Sequence, residues 1–154
     1  MSDNHIIYQI KTAKQNDVLL HLKLCNDEFI PKLNTRVNLE EYSIKIHQNS
    51  ITFEAWNQNQ LIGLIATYFN QEHLFGFITN VSVAKNHMGT GIASKLLEMC
   101  INYATTNKYQ TIKLEVNKEN IPAINFYKKY NFTEIETKTD SLIMNLSLKT
   151  NNKL

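Results

Sequence analysis

Two prolines and four glycines are few for a chain of 154 residues. Their scarcity excludes collagen-like repeats and the Pro/Gly-rich linkers that separate domains, so one domain is expected over residues 1–154, with 150–154 as a polar tail. Cysteine is limited to Cys25 and Cys100. Both fall in expected helices beside apolar residues, which argues for reduced core thiols and against a disulfide framework or a nucleophile. Long apolar runs are absent, and the opening Met1-Ser2-Asp3-Asn4-His5 has no basic flank leading into a hydrophobic stretch. A cytoplasmic location with no membrane partner is the expectation. The formal net charge is only +2 and no Lys/Arg cluster stands out, which argues against a nucleic-acid partner. Five histidines show no paired ligand spacing, and no metal is expected.

What the chain does have is clear periodicity. Ile6, Tyr8 and Ile10 predict a first strand with one better-buried face. Thr12 or Asn16 is placed to cap a helix carrying Leu19, Leu22, Cys25 and Phe29, which Pro31 stops. A second helix is expected from about Leu39 to His47, with Glu41 four residues before Lys45 in ion-pair spacing. Ile51, Phe53 and Ala55, then Leu61 to Phe69, predict a hairpin across Asn57-Gln58-Asn59-Gln60, and Glu72-His73 turns the chain into a third antiparallel strand. After a long helix ending near Asn107, Ile112, Leu114 and Val116 predict a strand parallel to the one before that helix. Asn120 and Pro122 open a further helix, and Asn131 ends it in the left-handed conformation. Phe132 to Glu136 and Leu142 to Leu148 predict a terminal hairpin. The fold class is α/β: a mixed, mostly antiparallel central sheet with helices on both faces.

Two of the four glycines stand together where periodicity changes. Val81 and Val83 alternate as the end of a strand, and from Ile92 the apolar spacing is helical, with Leu96, Leu97, Cys100, Tyr103 and Ala104 on one face. Gly89-Thr90-Gly91 lies at the switch. Glycine there lets the backbone turn and lets a ligand approach, and the first N–H groups of the new helix lack internal acceptors. Such donors at the positive end of a helix dipole suit a pyrophosphate. A tight turn that needs glycine for geometry alone is the other reading.

The order Met88-Gly89-Thr90-Gly91-Ile92-Ala93, followed by Asn120, Ala123-Ile124, Phe126-Tyr127 and Asn131-Phe132, resembles the GNAT superfamily of acyl-CoA-dependent N-acyltransferases. The resemblance spans roughly Leu61 to Ile135. The family loop reads Arg or Gln, two residues, Gly, one residue, then Gly or Ala; Gly91 and Ala93 fill the last two fixed places, and Met88 stands where the basic or amide side chain is usual. The resemblance implies acetyl-CoA as cosubstrate and central strands that splay to admit it. It implies a cofactor-binding set of Val81, Ser82, Val83, Met88, Gly89, Thr90, Gly91, Ile92, Ala93, Asn120 and Tyr127. A backbone N–H at Val81 or Val83 would hold the thioester carbonyl, and Tyr127 would sit beside the sulfur as proton donor.

Acyl transfer to an amine needs a neutral amine, a donor for the oxyanion and an acid for the thiolate. Tyr127 and Asn80 are the candidate catalytic residues. Asn80 or Thr79 would hold a water, because Phe77-Ile78-Thr79-Asn80 offers no acid to serve as general base, and Glu115 reads as a solvated carboxylate. Tyr127 also reads as a core aromatic, and Asn120 as an N-cap alone. Lys85 and His87 are placed to meet phosphates. Phe29, Arg36 and Tyr42 are the expected substrate-binding residues, with Arg36 suited to an anionic group on the amine; a solvated polar lid is the alternative. The expected function is acetyl transfer to a primary amine of a small molecule, by a monomer or homodimer. The rivals are a non-catalytic acyl-CoA-binding sensor module, a protein N-terminal acetyltransferase and, more weakly, a mononucleotide-binding protein.

Overall fold

A computed structural model describes residues 5–148. The expected polar tail at 150–154 lies outside the described residues. The elements in chain order are β1 (Ile7–Ile10), α1 (Gln15–Cys25), α2 (Leu39–Asn49), β2 (Ile51–Asn57), β3 (Gln60–Asn70), β4 (Phe75–Val83), α3 (Ile92–Thr106), β5 (Thr111–Asn117), α4 (Ile121–Lys129), β6 (Thr133–Thr137) and β7 (Ser141–Ser147). The strands form one sheet in the order β1-β2-β3-β4-β5-β7-β6. All neighbouring pairs are antiparallel except β4 and β5, whose parallel pairing requires α3 as the crossover.

Each face of the sheet carries its own core. Val18 and Leu22 of α1 and Ile46 of α2 pack with Leu61, Leu64 and Ala66 of β3. On the other core lie Leu96, Leu97 and Cys100 of α3, Ile124 and Tyr127 of α4, and Ile65, Ile78, Ile112 and Leu114 of the sheet. Side chains of this kind contribute about 1.5–3 kcal/mol each when fully buried. Both cysteines are free and buried, and burial pushes each thiol up to about 12, which leaves them inert packing groups.

Several local expectations are corrected. Helix α1 is entered at Lys14, whose N–H donates to Asp17 Oδ2 at 2.9 Å; neither Thr12 nor Asn16 caps it. Thr12 is held instead by the wholly buried Glu54, which accepts from Thr12, Ala13, Thr52 and Trp56. Leaving one such buried donor unpaired costs about 1–3 kcal/mol, so this carboxylate fastens the start of α1 to β2. The helix also stops before Pro31. It ends at Cys25, and Asn26–Glu28 form a 3-10 turn closed by the bond from Asn34 N to Asn26 Oδ1 at 2.7 Å. Phe29 is therefore extended backbone outside the helix. The face expected to bury Leu19 buries Val18, His21, Leu22 and Cys25. Ile10, expected on the buried face of the first strand, is 41% exposed on an edge strand. Glu41 and Lys45 form no ion pair: Lys45 Nζ lies 5.3 Å from the centre of the Tyr68 ring, an alternative partner for its charge.

Candidate active site

The parallel ladder between β4 and β5 runs only from Phe75 with Thr111 to Ile78 with Leu114. Beyond those pairs the strands part. On its other side β4 stays bound to β3, with a bulge at Thr79 where Ala66 faces Asn80 and Thr67 faces Ile78. The extra residue inverts the alternation. Asn80 and Ser82 are consequently buried polar residues on the α1/α2 side, while Val81 and Val83 pack against the α3 core.

The same register decides where the backbone points. Ala84 N donates to Ile62 O at 2.8 Å, so Ser82 and Asn80, two and four residues back, also face β3 with their backbone groups. The N–H groups of Val81 and Val83 then face the side that β5 has vacated. A cleft of about 880 Å³ opens there, lined on β4 by residues from Phe77 to Val83 and on β5 by Leu114 to Asn117.

One end of the cleft meets the glycine loop. Gly89 and Gly91 have φ of +77° and +88°, and a Cβ at either would meet no atom within 4 Å. Glycine there serves the left-handed backbone and leaves room beside it. Gly91 is the N-cap of α3 and supplies no side-chain cap. Lys95 N is bonded to Gly91 O; the N–H groups of Ile92, Ala93 and Ser94, ahead of it, lie in the first turn, where a helix has no internal acceptors. Met88, Gly89, Gly91, Ile92, Ala93 and Ser94 all line the cleft. Thr90 does not: its hydroxyl donates to His87 O at 2.5 Å and stiffens the turn. His87 lines the cleft and Lys85 stays outside it.

Helix α4 closes the β5 side. Asn120 accepts from Ala123 N at 3.3 Å as its N-cap and lines the cleft, and this cap uses Oδ1, leaving Nδ2 available. Tyr127 is 7% exposed, between Phe126 and Phe132 at centroid distances of 5.5 and 5.7 Å, and it too lines the cleft. Among the described residues nothing hydrogen-bonds its hydroxyl. Burial pushes the phenol above its ordinary range, so it keeps its proton at any neutral pH. The left-handed residue that ends the α4 segment is Asn131, at φ +74°.

At the opposite end, Phe29 and Arg36 line the cleft as expected, with Glu28, Ile30 and Pro31. Tyr42 does not. It stands behind the wall, its hydroxyl donating to Thr79 O at 2.6 Å and lying 2.8 Å from Thr79 Oγ1, so it pins the bulge. Burial pushes this phenol up to about 12. Glu115 is exposed, accepts from Ser141 Oγ and lies 3.7 Å from Lys138 Nζ, which makes it a tethered surface carboxylate. Ser94 and Asp140, which the sequence did not single out, also line the cleft. Ser94 was inferable as the next residue of the helix's first turn; Asp140 arrives through the β6–β7 turn, with no local signal.

A mixed sheet that splits beside a glycine-flanked helix N-terminus defines an α/β protein with a cleft opened between two of its central strands. The model of the Acetyltransferase (GNAT) family matches residues 18–132, and the chain belongs to that family. Among solved structures, the ribosomal-protein-S18-alanine N-acetyltransferase of Escherichia coli superposes with a TM-score of 0.76 over 96% of this chain and 99% of that one, at 16% identity. The PaiA N-acetyltransferase of Thermoplasma acidophilum, in complex with coenzyme A, does so with a TM-score of 0.72 over 92% and 99%, at 13% identity. These likenesses establish the fold. In sequence, the chain is 30% identical over 86 residues to the streptothricin acetyltransferase of Escherichia coli, covering 56% of this chain and 49% of that protein. The match thus spans about half the length of that relative.

Proposed function

We propose that this chain is an N-acetyltransferase that moves an acetyl group from acetyl-CoA to the primary amine of a small molecule by direct attack. The observation that carries this reading is the parting of β4 and β5 after Ile78 and Leu114, which leaves the N–H groups of Val81 and Val83 facing a cleft that reaches the start of α3. The open space beside Gly89 and Gly91 and the donors at Ile92, Ala93 and Ser94 fit a pyrophosphate. In the reaction the amine nitrogen attacks the thioester carbonyl carbon, and the charge that grows on oxygen is met by Val81 or Val83 N–H. Collapse breaks the C–S bond. Tyr127 donates a hydrogen bond to the departing sulfur; the burial that disfavours its phenolate makes full proton transfer depend on a replacement proton from the acetylated nitrogen. A water against Thr79 and Asn80 accepts that proton and passes it on to Tyr127, so that the nitrogen loses one proton and the thiol gains one. The relation to a streptothricin acetyltransferase supports a small-molecule acceptor.

A sensor that binds acyl-CoA without turnover is the second reading, favoured by Met88 at the loop's basic place and by the lack of any acid between Phe77 and Val83. Calorimetry with acetyl-CoA, followed by thiol release over amino sugars, amino acids, polyamines and peptides, separates the two. Turnover on a small amine supports the enzyme; tight binding without turnover selects the sensor, and turnover on peptide N-termini alone selects a protein acetyltransferase.

A further inference from the structure

Beyond Ile78, strand β4 carries one residue more than the length of β3 opposite it. Thr67 faces Ile78 and Ala66 faces Asn80, so Thr79 has no partner of its own on β3. Its carbonyl accepts from Tyr42 Oη of α2 at 2.6 Å, and its hydroxyl lies 2.8 Å from the same phenol oxygen. Burial pushes this phenol up to about 12, so it holds the proton it donates. A second tie follows the bulge: His21 of α1 has Nδ1 2.9 Å from Leu61 O on β3 and Nε2 2.8 Å from Ser82 Oγ on β4. Both helices therefore hold β4 by polar contacts, α2 at the extra residue and α1 beyond it.

The register without a bulge shows what the extra residue does. With Thr79 paired to Ala66, each later residue would move one place along β3, and Val81 would face Leu64 where Ser82 now stands. That place belongs to a hydrogen-bonded pair, two residues from the bond between Ala84 N and Ile62 O. Val81 N–H would then bond β3, and its side chain would turn toward α1. In the observed register Val81 faces Ile65 and Val83 faces Gly63, places whose N–H groups point away from β3. The proposed reaction uses those groups, so the bulge decides whether an oxyanion donor exists.

We propose that Tyr42 is a positioning residue of the acetyl transfer: by holding the Thr79 carbonyl it keeps β4 in the bulged register, and so keeps the Val81 and Val83 N–H groups turned to the thioester oxygen. This role rests on the amine acetyltransferase reading above. Tyr42 does not line the cleft, so it acts through the backbone and not by contact with either substrate. Without its hydroxyl the register loosens but is not lost, since His21 still ties Leu61 to Ser82. What falls is the preorganisation of the donor, which is where such a group gains its effect.

Tyr42→Phe keeps the ring and removes the tie, and measurements on the intact chain test the role. Amide exchange followed by NMR without ligand is expected to quicken at Ser82, beyond the bulge, about tenfold more than at Phe53 of the interior strand β2. Equal acceleration at both, or none, overturns the tie. The infrared carbonyl stretch of bound, ¹³C-labelled acetyl-CoA is expected below its free value in the parent, and to move back toward that value in Tyr42→Phe. Single-turnover acetyl transfer should slow about tenfold, with the Kd for acetyl-CoA within about twofold. An unmoved stretch or an unchanged rate overturns the positioning role. Tyr68→Phe removes the other phenol beside Thr79 and leaves the bond from Tyr42 to the Thr79 carbonyl in place; it should match the parent throughout, and the same losses there overturn the assignment to Tyr42. A panel on which the parent acetylates no amine defeats the acetyltransferase reading and the catalytic role with it, and exchange at Ser82 then decides alone whether Tyr42 holds the bulge.

Discussion

Ile78 and Leu114 are the last residues of β4 and β5 to face each other across the parallel ladder. Beyond them the N–H groups of Val81 and Val83 face the cleft instead of a neighbouring strand. The proposed reaction places its oxyanion donor there, so the donor is testable although it belongs to the main chain. Val81→Pro deletes one N–H that bonds neither strand. Activity should fall by about 100-fold to 1,000-fold, while β3 keeps its partners and acetyl-CoA still binds. Val83→Pro is the paired variant. If both proteins are folded and fully active in a thiol-release assay, the donor lies elsewhere.

Gly91→Ala isolates the loop. A Cβ there meets no protein atom, so packing is untouched and two other effects remain. The left-handed φ of +88° costs a non-glycine residue about 1–2 kcal/mol, which should lower the melting temperature by a few degrees. The methyl also occupies space on the cleft side, and KM for acetyl-CoA should rise about tenfold or more. An unchanged KM in the folded variant would show that glycine serves the turn alone.

Much of this site was readable along the chain, and the reasons differ by residue. The hairpin of β2 and β3 follows from alternation and from Gln58 and Asn59, which take the positive φ of a two-residue turn. Asn131 could be placed in the left-handed region because few residues other than glycine tolerate it. Local pattern does not carry sheet order, and the insertion of β7 between β5 and β6 is a long-range choice. The bulge at Thr79 was equally hidden, since an uninterrupted strand reads the same. Without it Asn80 and Ser82 would face the other core, and Tyr42, expected at the substrate because it falls in the Phe29–Lys45 region, stands behind the bulge instead. His21 had a signal that went unused: it shares a helix face with Val18, Leu22 and Cys25, and a histidine on a buried face requires partners for both ring nitrogens.

Tyr127→Phe removes a hydroxyl and almost no volume, and among the described residues no protein group loses a partner. Stability should change little. Single-turnover acetyl transfer should slow by about 100-fold or more if the phenol supports the leaving sulfur, with acetyl-CoA affinity retained. Because burial raises this phenol, its ionisation should not shape the alkaline limb of the rate profile below the ordinary tyrosine range. A rate equal to that of the parent leaves Tyr127 as a packing residue between Phe126 and Phe132.

The buried imidazole makes stability depend on pH. His21 has a folded pKa near 4 against about 6.5 in the unfolded chain, so the unfolded state takes up its proton first as pH falls. Its contribution is complete above about pH 6.5 and is lost progressively down to about pH 4. Urea unfolding at about pH 7 and about pH 5 should differ by about 2 kcal/mol from this group. His21→Gln cannot titrate and should flatten that interval, at the cost of lower stability throughout. An identical slope in the variant would assign the acid sensitivity to other groups.

Arg36 is exposed, lines the cleft with Phe29, and forms no ion pair among the described residues. Glu28 and Asp140 line the same cleft; under the proposed function these carboxylates would meet a cationic amine and the guanidinium an anionic group on the same molecule. A guanidinium binds carboxylate or phosphate in a planar, two-pronged way that lysine does not reproduce. Arg36→Ala should raise KM for a substrate that carries an anionic group by about tenfold, leave KM for acetyl-CoA alone, and have little effect on an uncharged amine. Arg36→Lys should recover only part of the loss. A preference for polyamines, with Arg36→Ala improving it, would instead make Arg36 a repulsive gate and the carboxylates the recognising groups.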